Sequence, residues 1–427
     1  MADHERGEGR SMKRWNRRHK NILFVLLVLL AFLSMPLYLD YLPAAERLGI
    51  YFLETEGIRG PFLWVPALLC RGGMEAQTCC KLYIFLVNLG GLLASFYCFS
   101  QVARNCYAGL AATFCYCFSV YYVYVYMVRG SLGEMTAFVF LPIYGLGLWR
   151  LYTWETGSKD YWKSGVLLML GLLGIWLSCV PLGFIFSGFV LLIALVLAPR
   201  TFRKKTFLIL AGSCIAVAVL TLGITVPYAK SVLAGGVYAD AALGIGFASR
   251  GLPLSQLLLP FQGNAINEVQ DHNRYAGLGL VFLVLAGIWV ADALLGRTNR
   301  NDGLWRRICF LMGLCIFSAF LCTGIFPWRW LAGIHWSLNA LLEHIGYPWR
   351  FLAPAVLAGS MAVGLYGGRI WKRGKKAMGL FLAGVTVCNV LSGIYLMDSL
   401  LYTTEPNRSY QVQERYQDAE YVFYISE

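Results

Sequence analysis

The chain has 427 residues, 58% of them hydrophobic and only 14% charged, with a mean hydropathy of +0.59. Soluble domains carry about a quarter charged residues, so this balance argues against a water-soluble globule. A net charge of +13 raises the question of nucleic acid, but the chain carries no nucleic-acid motif. Thirteen cysteines are scattered along it without a CxxC or HExxH pattern, which argues against a structural zinc or zincin site. They read as free thiols, and those inside spans behave as small apolar side chains.

Taken in chain order, residues 1–20 form a basic tail containing MKRWNRRHK. The apolar run from Asn21 to Leu39 is long enough to span a bilayer and has no small-residue cleavage site after it, so it reads as an anchor and not a signal peptide. Further apolar runs predict spans at 82–100, 106–127, 135–149, 164–180, 182–198, 207–226, 276–295, 308–324, 351–368 and 377–397, eleven in all. The expected fold is therefore an all-α polytopic membrane protein. Its transmembrane domain covers 21–398, it has no large soluble domain, and a short polar tail occupies 399–427.

With the N-terminus inside, the inner segments hold 24 of the 36 Lys and Arg residues against 7 acids, and the outer segments hold 12 against 16. That is the positive-inside pattern. The basic surplus thus reads as a topology signal and an attraction to anionic lipid, with no nucleic-acid partner expected.

Four outer segments between spans are long enough to hold chemistry, at 40–81, 128–134, 227–275 and 325–350. The first contains LDYLPAAERLGIYFLETEG, which predicts an interfacial helix turning Leu48, Tyr51 and Phe52 toward lipid or core. PFLWVPALL (61–69) is too short to span and is expected to dip or lie flat. The second is the RGSLGE hairpin, where Gly130 and Gly133 permit a tight turn. The third ends in DHNRY, and the fourth is flanked by FPWRWL and YPWRFL. Trp328, Trp330, Trp336, Tyr347 and Trp349 are expected as interfacial anchors. His272, His335 and His344 are isolated and read as interfacial polar residues.

The outer face offers Arg129, Arg274 and Arg350 as phosphate partners and Asp40, Glu46 and Glu134 as carboxylates. Each has a plain structural alternative: a solvated loop charge, an Arg129–Glu134 pair within the hairpin, or an Arg350 side chain snorkelling to head groups. Arginine suits phosphate because its planar fork donates two hydrogen bonds at once. Such a set would serve glycosyl transfer from a lipid phosphate-sugar. The phosphate leaves without a general acid, one carboxylate activates the acceptor hydroxyl, and an Arg or a divalent cation neutralises the departing charge. A flippase for the same lipid would need the same arginines.

An acidic residue closes the first span (Asp40) and an arginine follows seven residues on (Arg47). VYMVRGSLGEMTAFVFLPIYGLGL (125–148) and IGYPWRFLAPAVLAG (345–359) come later. This pattern resembles the bacterial membrane proteins labelled 6-pyruvoyl-tetrahydropterin synthase-related, within the GT-C glycosyltransferase-like superfamily and akin to YfhO-type membrane proteins. The resemblance covers roughly 20–400. It implies a GT-C-like fold in the bacterial cytoplasmic membrane with the C-terminus outside, and a polyprenyl-phosphate sugar donor. Among these residues Asp40 is the expected base with Glu134 second, Arg129 and Arg350 are expected on the phosphate, Glu46 is expected to position acceptor or cation, and Arg47 and Arg274 are expected as further substrate-binding residues. Two departures stand out: Ala44 where relatives often have histidine, and Ser178-Cys179 where they have Ser-His. These leave a lipid-linked glycan flippase and a non-catalytic assembly partner as alternative functions.

Overall fold

The computed structural model describes residues 23, 25–31, 61–74, 76–126, 131–233, 246–258, 276–295 and 302–403. They are predominantly helical, and the only β-type pairing among them is an isolated bridge between Leu252 and Thr323. The principal helices are α1 (Ala76–Ala103), α2 (Cys106–Cys117), α3 (Leu132–Thr153), α4 (Trp162–Ser178), α5 (Val180–Val196), α6 (Lys204–Leu220), α7 (Leu222–Leu233), α8 (Leu280–Leu294), α9 (Gly303–Leu321), α10 (Trp336–Ile345), α11 (Leu352–Trp371) and α12 (Lys375–Thr403). Five stretches, Lys81–Ala103, Leu132–Thr153, Gly303–Leu321, Pro348–Trp371 (α11 with the turn before it) and Lys375–Leu396, are long and apolar enough to cross a membrane. Four shorter apolar helices accompany them: α2, α4, α5 and α8.

Two expected spans are interrupted. The run 106–127 breaks after Cys117, where Phe118 leaves helical geometry and Ser119 starts a new turn by accepting the Tyr122 N–H at 3.2 Å. A serine side chain competes with the helix for backbone hydrogen bonds and so favours such a start. The run 207–226 breaks at Thr221, whose hydroxyl donates back to the Val217 carbonyl at 2.9 Å. PFLWVPALL forms a short 3₁₀ turn and the start of an eight-residue helix, Trp64–Arg71, with Trp64 and Leu68 exposed.

The bundle is built around α11. Its hydrophobic window is 94% buried, against 22% for that of α12 at the periphery. Helices α1, α2 and α9 pack on α11, and α3 and α4 form a tight antiparallel hairpin beside it. The hairpin closes to backbone contact at Gly171, where a Cβ would run into the main chain of Tyr144. Outward faces are apolar, as at Leu195, Ile215, Leu380 and Ile394, so the molecule presents hydrocarbon where a soluble protein presents charge. These features are compatible with a multi-pass membrane protein.

Many buried hydroxyl groups are paired inside. Tyr116 donates to the Phe138 carbonyl at 2.7 Å, Tyr144 to the Phe186 carbonyl at 3.0 Å, and Tyr83 meets the Thr136 hydroxyl at 2.6 Å. Away from water, a protein partner offsets the cost of burying such a group. The tyrosines at 116, 121, 122, 124 and 126 are thus core residues. Every cysteine with a described side chain is a free thiol.

Contacts also segregate by end. Asp292 and Arg369 lie 3.7 Å apart, Arg200 donates to the Tyr152 carbonyl at 3.2 Å, and Arg307 stands over Trp149. This basic end gathers segments that carry the positive-inside signal. The loops at 131, 178–179 and 346–351 meet at the opposite end.

Candidate functional site: a buried ion pair at the helix ends

Glu134 and Arg350 come together from positions 216 residues apart. Arg350 Nε donates to Glu134 Oε1 at 2.7 Å, with the two side chains 2% and 0% exposed. Each end of the pair is held by local sequence. Ser131 N-caps α3, and its hydroxyl accepts the Glu134 N–H at 3.5 Å. Ser131-Leu132-Gly133-Glu134 has the spacing of a capping box. Glu134 therefore sits in the first turn of α3, where the positive end of the helix dipole favours a carboxylate.

On the other side, Pro348 opens a 3₁₀ turn, Pro348–Phe351, that runs directly into α11 and carries Arg350. Arg350 Nη1 donates to the carbonyl of Ile345, the last residue of α10. Gly346 ends that helix at φ 79°. A cation at a helix C-terminus is favourable for the converse reason. The pair thus ties the N-terminus of α3 to the C-terminus of α10 at the top of α11.

Aromatic rings close the site. Trp349 meets Tyr124 and Tyr121 edge-on at 5.5 and 6.1 Å. Two guanidinium groups stand near the Tyr347 ring, Arg250 at 5.1 Å and Arg350 at 5.7 Å. Arg250 also donates to the Gly346 carbonyl at 3.1 Å, and Glu343 accepts the Phe247 N–H at 2.8 Å. Ser178-Cys179 belongs to the same place. A Cβ on Gly133 would stand 2.6 Å from the Ser178 carbonyl oxygen, and Cys179 lies within electrostatic range of Arg350. Three segments singled out in the sequence therefore converge: the described part of RGSLGE (131–134), Ser178-Cys179 and YPWRFL.

Several expectations change. Glu134 is not in a surface hairpin facing a head group; it is an interior helix residue whose Oε1 is taken by Arg350. Arg350 does not snorkel to lipid phosphate, because its guanidinium is directed inward. Gly133 is required for close approach to Ser178 and not for a turn. Trp328 and Trp349 are core residues, 3% and 1% exposed, while Trp330 and Trp336 remain exposed as interfacial anchors would be. Trp328 is held by its indole N–H on the Leu321 carbonyl at 3.0 Å and by stacking on Phe351. His335 caps α10 and His344 is buried near its end.

Asp40, Glu46, Arg47, Arg129, Arg274, Ala44, His272 and the 48–52 helix lie outside the described residues. Among the described residues no three His, Cys, Asp or Glu side chains converge as a cation site would require, so no cation is assigned. Arg250 was missed by sequence reasoning. Its signal was an arginine in FASRGL, inside a loop rich in Gly, Ala and Leu.

No protein-family model matches the chain, and neither does any curated protein or solved structure.

Proposed function

We propose that the chain is an eleven-span, GT-C-like protein of the bacterial cytoplasmic membrane, N-terminus inside and C-terminus outside. It transfers a sugar from a polyprenyl-phosphate donor to an extracytoplasmic acceptor in cell-envelope glycan assembly. The observation that carries this reading is the convergence of residues 131–134, Ser178-Cys179 and YPWRFL at one end of the bundle around Glu134 and Arg350. RGSLGE and YPWRFL belong to the segments on which the family resemblance rests, and Ser178-Cys179 is one of the places where the chain departs from it.

In this reading Glu134 and Arg350 are positioning residues. A carboxylate bound to a buried guanidinium is a poor base, so proton abstraction falls to Asp40. Arg129 and Arg274 take the donor phosphate, with Glu46 and Arg47 orienting the acceptor. The Glu134–Arg350 pair fixes the helix ends from which the Arg129 segment departs. The test is sugar transfer in proteoliposomes from a panel of polyprenyl-phosphate hexoses. Asp40→Asn should lower turnover at least a hundredfold with the fold intact. Unchanged turnover in that variant would remove Asp40 as the base.

A non-catalytic assembly protein is the second reading, ahead of a flippase. It is favoured by the burial of the ion pair, whose two members satisfy each other within the protein interior, and by Cys179 in the place of histidine. It predicts no transfer from any donor in the panel.

A further inference from the structure

A second site lies at the basic end of the bundle, remote from the ion pair. A cavity of about 410 Å³ runs between α3, α5, α9 and α11. Its inner walls are apolar, formed by side chains such as Leu148, Phe189, Leu357 and Met361. Three arginines line it as well: Arg200, just beyond α5, and Arg306 and Arg307 in the first turns of α9. All three are exposed. Arg307 stands 5.7 Å from the Trp149 ring, and Arg104, Arg200 and Arg306 are within electrostatic reach of it, with Asp302 the acid in that group.

This charge arrangement is unfavourable by itself. Like charges repel, and cations near a helix N-terminus oppose its dipole. Asp302 caps α9 through the Leu304 N–H at 3.0 Å, so one acid faces several cations. An anion at the mouth relieves both problems. Arg200 uses Nη1 on the Tyr152 carbonyl, and a guanidinium has five donors, so it can hold that contact and a phosphate together. The cavity behind the mouth is mostly apolar and within the size range of small-ligand sites. A ligand suited to both ends is an amphiphile with an anionic head and an apolar chain. The positive-inside reading places this mouth at the anionic leaflet, where basic pockets between membrane helices bind lipid head groups. A polyprenyl chain is too long for a space of this size, whereas one acyl chain suits it.

We propose that this cavity is a binding site for an anionic glycerophospholipid of the inner leaflet, with the phosphate among Arg200, Arg306 and Arg307 and one acyl chain between α3, α5, α9 and α11. The site does not depend on the transferase reading.

The test is native mass spectrometry of the delipidated full chain titrated with phosphatidylglycerol, phosphatidylcholine or polyprenyl phosphate. The wild type should retain one phosphatidylglycerol at least tenfold more tightly than phosphatidylcholine. The triple variant Arg200→Gln, Arg306→Gln, Arg307→Gln should lose that preference. The control Lys372→Gln, Lys375→Gln, Lys376→Gln, at the same end but away from the cavity, should keep it. Equal binding of the two phospholipids, loss in the control as large as in the triple variant, or retention in the triple variant would overturn the proposal. Loss of polyprenyl phosphate binding in the triple variant, with phosphatidylglycerol binding retained, would overturn the choice of lipid.

Discussion

Glu134 and Arg350 are each removed from solvent and matched to the other, so either one left alone is a buried charge. Replacing one member of such a pair typically costs about 3–5 kcal/mol, whereas replacing both with apolar residues of similar volume can be neutral. Glu134→Gln and Arg350→Met should each lower the melting temperature in detergent sharply. Glu134→Met combined with Arg350→Met should recover much of the loss. If the singles melt like the wild type, the pair does not hold the helix ends together. Gly133→Ala should destabilise by about 1–3 kcal/mol, the usual range for overpacking, because the methyl meets the Ser178 backbone. Both charged residues were visible in the sequence as charges beside spans, but their pairing was not, since nothing local links positions 216 residues apart. A charge or tryptophan at a span border reads the same whether it turns to lipid or to protein. That ambiguity misplaced Arg350, Trp328 and Trp349.

Among the elements, the long apolar helices were the legible part, because twenty apolar residues in a row have few alternatives. The breaks at Ser119 and Thr221 were not, because hydroxyl side chains end or continue a helix according to their neighbours. The α3–α4 contact at Gly171 was equally hidden, since a helix-interior glycine does not announce its partner. Gly171→Leu should force the hairpin apart and lower thermal stability more than Gly212→Leu, which meets open space on α6. Equal effects would show that close approach is not what Gly171 supplies. Helix α10, too short to span, adds a pH response. Burial pushes His344 below its ordinary value of 6.5, so the unfolded chain takes up its proton first. Stability should be full above pH 6.5 and should fall as pH drops from there toward the lower folded-state value. His344→Gln should flatten that part of the melting-temperature profile between pH 8 and 5.

For the whole molecule, the segregation of basic contacts to one end gives a topological prediction. A membrane-impermeant maleimide applied to intact cells should label Ser337→Cys, exposed on α10, and not Ser158→Cys, exposed between α3 and α4. The reverse pattern would invert the orientation. The all-helical architecture was legible from composition and apolar runs alone. The site was legible only as a set of segments, because the sequence carried their chemistry and not their distances. The most direct test of the transferase account is extraction and mass analysis of the lipid that co-purifies with the full chain, wild type beside Arg129→Ala. The account predicts a polyprenyl-phosphate sugar in the wild type, identified by mass and depleted at least tenfold in the variant while any co-purifying phosphatidylglycerol is unchanged. A wild-type protein carrying no polyprenyl phosphate, or the same amount in both proteins, would contradict it and leave the non-catalytic assembly reading in its place.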